Sequence, residues 1–248
     1  MKRLLLLGGT TEASALAAAL ADDVRFATIL SFAGATRAPR LPLVPYRVGG
    51  FGGIAGLVDF LRAERMDLLL DATHPFAAGM KANAAAAAAI AGIPALGVLR
   101  PAWQPRPGDA WTTVADMAAA ANALGTVPRR VLLTIGQKDL AAFGRAPWHS
   151  YVIRSIDPPT TPPPNARIIT ARGPFNEADE LALLAGHRIE ALVTKNSGGA
   201  ATVAKLAAAR RLGVAVVMVA RPSRPEMATV DDVPGAWDWL HQHAVRGA

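Results

Sequence analysis

The sequence predicts an α/β fold of two units, each a mainly parallel sheet with helices on both faces. Three observations predict it. Short apolar runs alternate with alanine-rich helical segments along the 248 residues. The alternation restarts after a stretch rich in proline, tryptophan and arginine. Polar, glycine-bearing turns fall at the ends of the apolar runs. Strand and helix in alternation mark βαβ units and a parallel sheet.

In the first unit, RLLLLG (3–8) is a strand, TEASALAAALAD (11–22) a helix and VRFATILS (24–31) a second strand. YRVGGFGGIAGLVDFLRAERM (46–66) gives a short strand, a glycine turn and a helix from about Ile54. DLLLDATHPFA (67–77) holds a strand ending near Asp71. A helix over 75–91 starts on Pro75, which a first turn accepts, and IPALGVLR (93–100) is the next strand. Residues 101–128 form a looser connector with one helix near 114–124. In the second unit, RRVLLTIG (129–136), SYVIRSI (150–156), ARIITARG (166–173), IEALVTKNSGG (189–199) and VAVVMVARP (214–222) are strands. QKDLAAF, NEADELALLAGH, AATVAKLAAARRLG and AWDWLHQHAV are helices, and PPTTPPPN is a rigid loop, because proline cannot join a ladder. The expected division is 1–100, 101–128 and 129–248.

Composition narrows the function. Apolar residues are 52% and charged residues 18%, so the chain has ample material for a core. With no cysteine, a disulfide framework, a thiolate metal site and a cysteine nucleophile are excluded. That fits a reducing cytoplasm. The leucine run after Lys2 and Arg3 stops at Gly8, short of a signal peptide. The apolar run 84–99 is broken by Gly92 and Pro94, so no membrane segment is expected. The net charge of +7 suits an anionic ligand. The arginines are scattered in loops with few aromatics near them, which argues against nucleic acid. No metal is expected, because His149, His187, His241 and His243 lack metal-ligand spacing.

In open α/β sheets, ligands bind outside the carboxyl ends of the strands. Six polar turns fall there, and two facing units would place the active site in the cleft between them. GGTTEA carries Gly8, Gly9, Thr10 and Thr11. It departs from the dinucleotide fingerprint G-x-G-x-x-G/A by placing Thr10 at the middle glycine. Thr11 is read as the helix cap, leaving backbone N–H groups for a phosphate. An acidic residue on the second strand would grip the ribose 2′-OH of NAD. The strand end here offers Ser31, Arg37 and Arg40 instead, so a dinucleotide should be NADP(H). Gly49 and Gly50 would let the backbone approach a flat ligand. Thr73 and His74 would face the nicotinamide, with His74 the candidate proton donor. In the second unit, Gly136 and Lys138, Arg172, and Lys195 and Ser197 stand on three turns suited to carboxylates.

GGTTEA, DATHPFA, GQKDL, ARGPF and TKNSGG, in this order and spacing, resemble the precorrin-6A reductases of cobalamin (vitamin B12) biosynthesis, the cobalt-precorrin-6A reductases included. The resemblance implies two Rossmann-like domains and an NADPH-dependent reduction of a double bond of the corrin macrocycle precorrin-6A to precorrin-6B. By position, it places Gly8, Gly9, Thr10 and Thr11 on the pyrophosphate and Ser31 and Arg37 on the 2′-phosphate. Gly49 and Gly50 would line the nucleotide, with Thr73 and His74 on the nicotinamide side. Gly136, Lys138, Arg172, Lys195 and Ser197 would face the anionic tetrapyrrole. No residue is an obvious essential acid, so positioning and hydride transfer would suffice, with a proton from solvent or substrate. Two other readings stand beside it: an NADPH-dependent reductase of another anionic substrate, and a non-catalytic NADP-binding sensor module.

Overall fold

The computed structural model describes residues 1–34 and 42–245; Arg37 and Arg40 lie outside them. The chain opens with β1 (Lys2–Leu7), α1 (Thr11–Leu20), β2 (Phe26–Phe32), β3 (Tyr46–Val48), α2 (Gly53–Ala63), β4 (Leu68–Asp71), α3 (Ala78–Ala91) and β5 (Ala95–Val98). Next come β6 (Trp111–Val114), α4 (Met117–Ala123), β7 (Arg130–Thr134), a 3-10 helix (Gln137–Arg145), β8 (Ser150–Ser155), β9 (Ala166–Thr170) and α5 (Glu177–Gly186). The last elements are β10 (Ala191–Lys195), a 3-10 turn (Ala200–Thr202), α6 (Ala204–Leu212), β11 (Ala215–Val219), β12 (Thr229–Val230) and α7 (Val233–Val245).

Among the described residues all strand pairings are parallel, and the two sheets share one order. The first runs β3-β2-β1-β4-β5-β12 and the second β9-β8-β7-β10-β11-β6. Counted from the central strands β1 and β7, each is the order 3-2-1-4-5-6 of a doubly wound fold. The sixth place is where the units exchange chain. β6 follows β5 of the first sheet but fills the sixth place of the second. β12 follows β11 of the second sheet but fills the sixth place of the first. Each brings a helix with it: α7 packs on α1, and α4 on the 3-10 helix after β7.

The compact units are therefore Met1–Pro101 with Pro222–Ala248, and Ala102–Arg221. This differs from the expected division 1–100, 101–128 and 129–248. The segment 101–128 is no mere connector, because β6 and α4 belong to the second sheet. The C-terminal stretch returns to the first. β6 (WTTV) is half-exposed and β12 has two residues, so neither shows the apolar run that marks a buried strand.

The run LLLL lacks alternation because β1 is buried on both faces. Leu4 and Leu6 pack with Leu16 and Leu20 of α1 and Leu240 of α7. Leu5 and Leu7 pack with Leu57 and Leu61 of α2 and Ala84 and Ala87 of α3. Each such leucine stabilises the fold by roughly 2 kcal/mol relative to exposure. In the second unit, Leu132 of β7 meets Leu184 of α5 and Leu206 of α6. Three local expectations shift. The helix expected over 75–91 begins at Ala78, because Ala77 N–H closes a turn onto the His74 carbonyl at 2.8 Å. The helix expected near 114–124 is shorter, because the Asp116 carboxylate caps it by accepting from Ala119 N at 2.8 Å. QKDLAAF is 3-10 rather than α, opening with Asp139 N–H on the Gly136 carbonyl at 3.0 Å. No helix of the described residues is long and apolar enough to cross a membrane.

Candidate functional site

In a parallel sheet all carboxyl ends share one edge, so each unit gathers its polar turns along one line. In the first unit the turn after β1 is built around Thr10. Its hydroxyl accepts from Ala13 N at 3.1 Å and donates to the Ala72 carbonyl at 2.7 Å. Thr10, not Thr11, is thus the helix cap, and Thr11 is the first helical residue. The single proton of the Thr10 hydroxyl goes to the Ala72 carbonyl, so it does not stand in for a missing glycine as a phosphate donor. Among the described residues, no acceptor takes the N–H groups of Gly9, Thr10 or Thr11. These are the donors that a helix start leaves over, and they suit an anion.

The two glycines do different work. A Cβ on buried Gly8 would stand 2.6 Å from Leu30 Cδ1, so Gly8 lets the turn pack on β2. Gly9 has φ +115, and a Cβ there would meet nothing within 4 Å. Its backbone is open to a ligand. Glu12 would oppose an anion, but its carboxylate is paired with Arg100 Nη1 at 2.5 Å. Burial disfavours the Glu12 charge; its own backbone N–H, Arg100 and Thr11 outweigh that and hold the carboxyl below its ordinary range.

Ser31 and Arg47 lie opposite each other on β2 and β3. Arg47 Nη1 donates to Ser31 Oγ at 2.8 Å and to the Gly49 carbonyl at 2.9 Å, while Nη2 donates to the Gly50 carbonyl at 3.0 Å. The guanidinium stacks 4.0 Å above the Phe51 ring. One arginine thus gathers three of the expected residues: Ser31, Gly49 and Gly50. The sequence did not mark Arg47, because its position depends on how β3 registers against β2. Gly49, at φ +125, supplies the left-handed turn.

DATHPF is locked by a buried ion pair. Asp71 is fully buried; its Oδ1 accepts from Thr73 N at 2.9 Å and Thr73 Oγ1 at 2.6 Å. Its Oδ2 accepts from Lys81 Nζ at 3.0 Å. Lys81 was hidden in an alanine run of the sequence. His74 Nδ1 accepts from Phe76 N at 3.2 Å. A backbone N–H only donates, so the neutral ring carries its proton on Nε2.

In the second unit, Lys195 Nζ pairs with Asp139 Oδ2 at 2.6 Å, tying the turn after β10 to the turn after β7. Gly136 is the residue before the 3-10 helix, and Lys138 on its first turn is exposed. Arg172 is exposed after β9, at the sheet edge. Ser197 is buried, and Gly198 follows at φ +70. Asn196 and Arg221 hold this loop. Asn196 Oδ1 accepts from Trp103 N at 2.8 Å, and its Nδ2 donates to the Trp103 carbonyl at 3.0 Å. Arg221 donates to the carbonyls of Asn196 at 2.9 Å and Ser197 at 3.1 Å. The sequence flagged neither residue, since both act on backbone atoms.

The two units can be compared place by place. Leu7 is opposite Asp71 and Thr134 opposite Thr194, so one residue further on Ile135 is opposite Lys195. Gly8 follows Leu7 as Gly136 follows Ile135, so Lys195 takes the place of Asp71. Lys81 and Lys205 each stand ten residues beyond these positions. The acidic strand end of the first unit has become basic in the second.

Two sheets of Rossmann order, one with an open helix N-terminus after its first strand and one with a basic strand-end edge, define a double-Rossmann α/β protein suited to anionic ligands. The comparisons with known proteins make this specific. The family model for the precorrin-6x reductases CbiJ/CobK matches residues 3–241, and the chain belongs to that family. It is 52% identical to the precorrin-6A reductase of Rhodococcus erythropolis, over 97% of this chain and 98% of that one. It is 48% identical to the precorrin-6A reductase of Rhodobacter capsulatus, over 98% and 97% of the two chains. Identity to the cobalt-precorrin-6A reductase of Priestia megaterium is 30%, over 88% and 90%. A solved structure, CobK precorrin-6A reductase, superposes with a TM-score of 0.93 at 48% identity, covering 98% of this chain and 97% of that one.

Proposed function

We propose that this chain reduces precorrin-6A to precorrin-6B in cobalamin biosynthesis, with NADPH as hydride donor. The reaction rests on relatives that match it end to end and are named for that activity. The observation that carries the cofactor is the Ser31–Arg47 bond at the end of β2. A hydroxyl and a guanidinium stand where an NAD-preferring fold keeps a carboxylate. They fit a 2′-phosphate, which a guanidinium can bind bidentately. Arg47 shares this role with Ser31, while Arg37, also expected there, lies outside the described residues.

The remaining residues fit the same ligand. The open N–H groups of Gly9, Thr10 and Thr11 take the pyrophosphate, and Gly8 sets the turn. Gly49 and Gly50 line the nucleotide, with Thr73 and His74 on the nicotinamide side. Bound NADPH supplies the hydride. The chain binds, orients and excludes water. Gly136, Lys138, Arg172, Lys195 and Ser197 hold the acidic side groups of the macrocycle. His74 lines the nicotinamide side without serving as the acid, and the proton that completes the reduction comes from solvent or the substrate. The cysteine-free composition suits the cytoplasm, the compartment proposed.

The test is anaerobic oxidation of NADPH, followed by its own absorbance and that of precorrin-6A. One NADPH should disappear per macrocycle, with NADH a far poorer donor. No oxidation beside intact precorrin-6A refutes the reaction; equal use of NADH refutes the cofactor.

A further inference from the structure

Among the described residues, the second unit buries two cations, Lys205 and Arg154, but one carboxylate, Glu180. Lys205 on α6 is 4% exposed, Arg154 on β8 8% and Glu180 on α5 1%. Arg154 Nη1 donates to Glu180 Oε1 at 2.6 Å, and its guanidinium stacks 3.9 Å above the Phe175 ring. The other oxygen, Glu180 Oε2, is buried and meets no donor among the described residues. Lys205 Nζ donates to Thr134 Oγ1 at 3.1 Å and lies 5.4 Å from the centre of the Trp103 ring.

Lys81, in the matching place of the first unit, has Asp71 for a counterion at 3.0 Å. Among the described residues, no carboxylate forms an ion pair with Lys205, because the matching strand end carries Lys195. The charged groups that act on it are Arg154 on β8 and Glu180 on α5; α5 also carries Glu177 and Asp179, and β10 carries Lys195 with its partner Asp139. β11 carries none, and Arg130 lies at the far end of β7. Arg210 and Arg211 on α6 itself are paired with Asp109 and Glu177. Burial above all, then Arg154, with Glu180 opposing, push the Lys205 ammonium down to about 7.

We infer that Lys205 is a proton-linked positioning residue for the anionic substrate: a carboxylate settling on the turns that carry Lys195 and Ser197 is matched by a proton taken up on Lys205 Nζ. The inference rests on the proposed function for the identity of that anion. Thr134, to which Nζ donates, lies on the strand next to Lys195, so the amine sits just beneath the edge where the anion would dock. A negative charge placed there favours the ammonium form. The proton comes from water or buffer, and no bond of the substrate changes.

The experiment is calorimetric titration of the whole chain with precorrin-6A in two buffers of different ionisation enthalpy, between about pH 6 and about pH 9. Uptake should approach one proton per macrocycle near about pH 8 and vanish near about pH 6, with affinity falling up to about tenfold per pH unit above about 7. Lys205→Met should bind weakly with no uptake, and Lys205→Arg should restore affinity without uptake. A wild-type enthalpy that does not depend on buffer overturns the inference, and this readout needs no variant to fold. Uptake that persists in a folded Lys205→Met overturns it as well. Wild-type protein that neither binds nor reduces precorrin-6A overturns the proposed function, and the inference with it.

Discussion

Thr10 Oγ1 donates to the Ala72 carbonyl at 2.7 Å while capping α1 through Ala13 N. One hydroxyl therefore joins the glycine turn after β1 to the turn that leads to His74. Thr10→Val should cost about 1–2 kcal/mol through the lost cap and tie, and it should weaken NADPH binding. Thr10→Ser should keep both. Urea midpoints and a fluorescence titration check this; a valine variant as stable as the parent would show that the tie contributes nothing.

The Asp71–Lys81 pair is buried on both sides. Lys81→Met leaves the Asp71 charge without its ion partner and should destabilise the fold by about 3–5 kcal/mol. Adding Asp71→Asn to it should recover part of the loss, since the charge is then gone. Denaturation of both variants measures this, and a double variant worse than the single one contradicts it.

On the proposed reading, Arg47 should separate the two cofactors. Charge-assisted bonds are worth about 1.5–3 kcal/mol, so Arg47→Ala should weaken NADPH binding roughly 10- to 100-fold. NADH affinity should barely change. Equal losses for both would place Arg47 away from the 2′-phosphate, leaving it as a brace for Gly49 and Gly50.

If the proton comes from solvent or substrate, as proposed, His74→Ala should bind NADPH normally and keep most of its turnover. A loss of turnover greater than about 100-fold, with binding intact, would assign general acid catalysis to His74 after all.

Lys205 also links stability to pH. Its ammonium is lowered in the folded chain to about 7 from an ordinary value of 10.5. Between these values the unfolded chain holds a proton that the folded chain lacks, so stability should rise with pH across about 7 to 10. Denaturant midpoints at stepped pH should show the rise in the parent and flatten it in Lys205→Met.

What the sequence disclosed follows from burial. RLLLLG and IEALV read as strands because both their faces are covered, and the polar turns stand out because they interrupt such runs. Arg47 escaped notice because its role comes from the pairing of β2 with β3, a non-local fact. Lys81 and Lys205 sit in alanine-rich helices and look like solvent-facing lysines; only the packing of α3 and α6 on their sheets turns them inward. Thr10 rather than the expected Thr11 caps α1, a shift of one residue that only the backbone angles at the helix start decide.

The exchanged sixth strands make the repeat in the gene different from the repeat in the fold. A fragment ended at Pro128 would carry β6 with no β11 to pair with, and would leave β5 with its outer edge bare and Leu96 and Val98 without α7 over them. Residues 102–221, by contrast, hold a whole sheet whose entering and leaving strands, β6 and β11, lie side by side. The natural cassette for excision, transplantation or isotopic segment labelling is therefore this inner stretch, bounded by Ala102 and Arg221, and not either half of the chain.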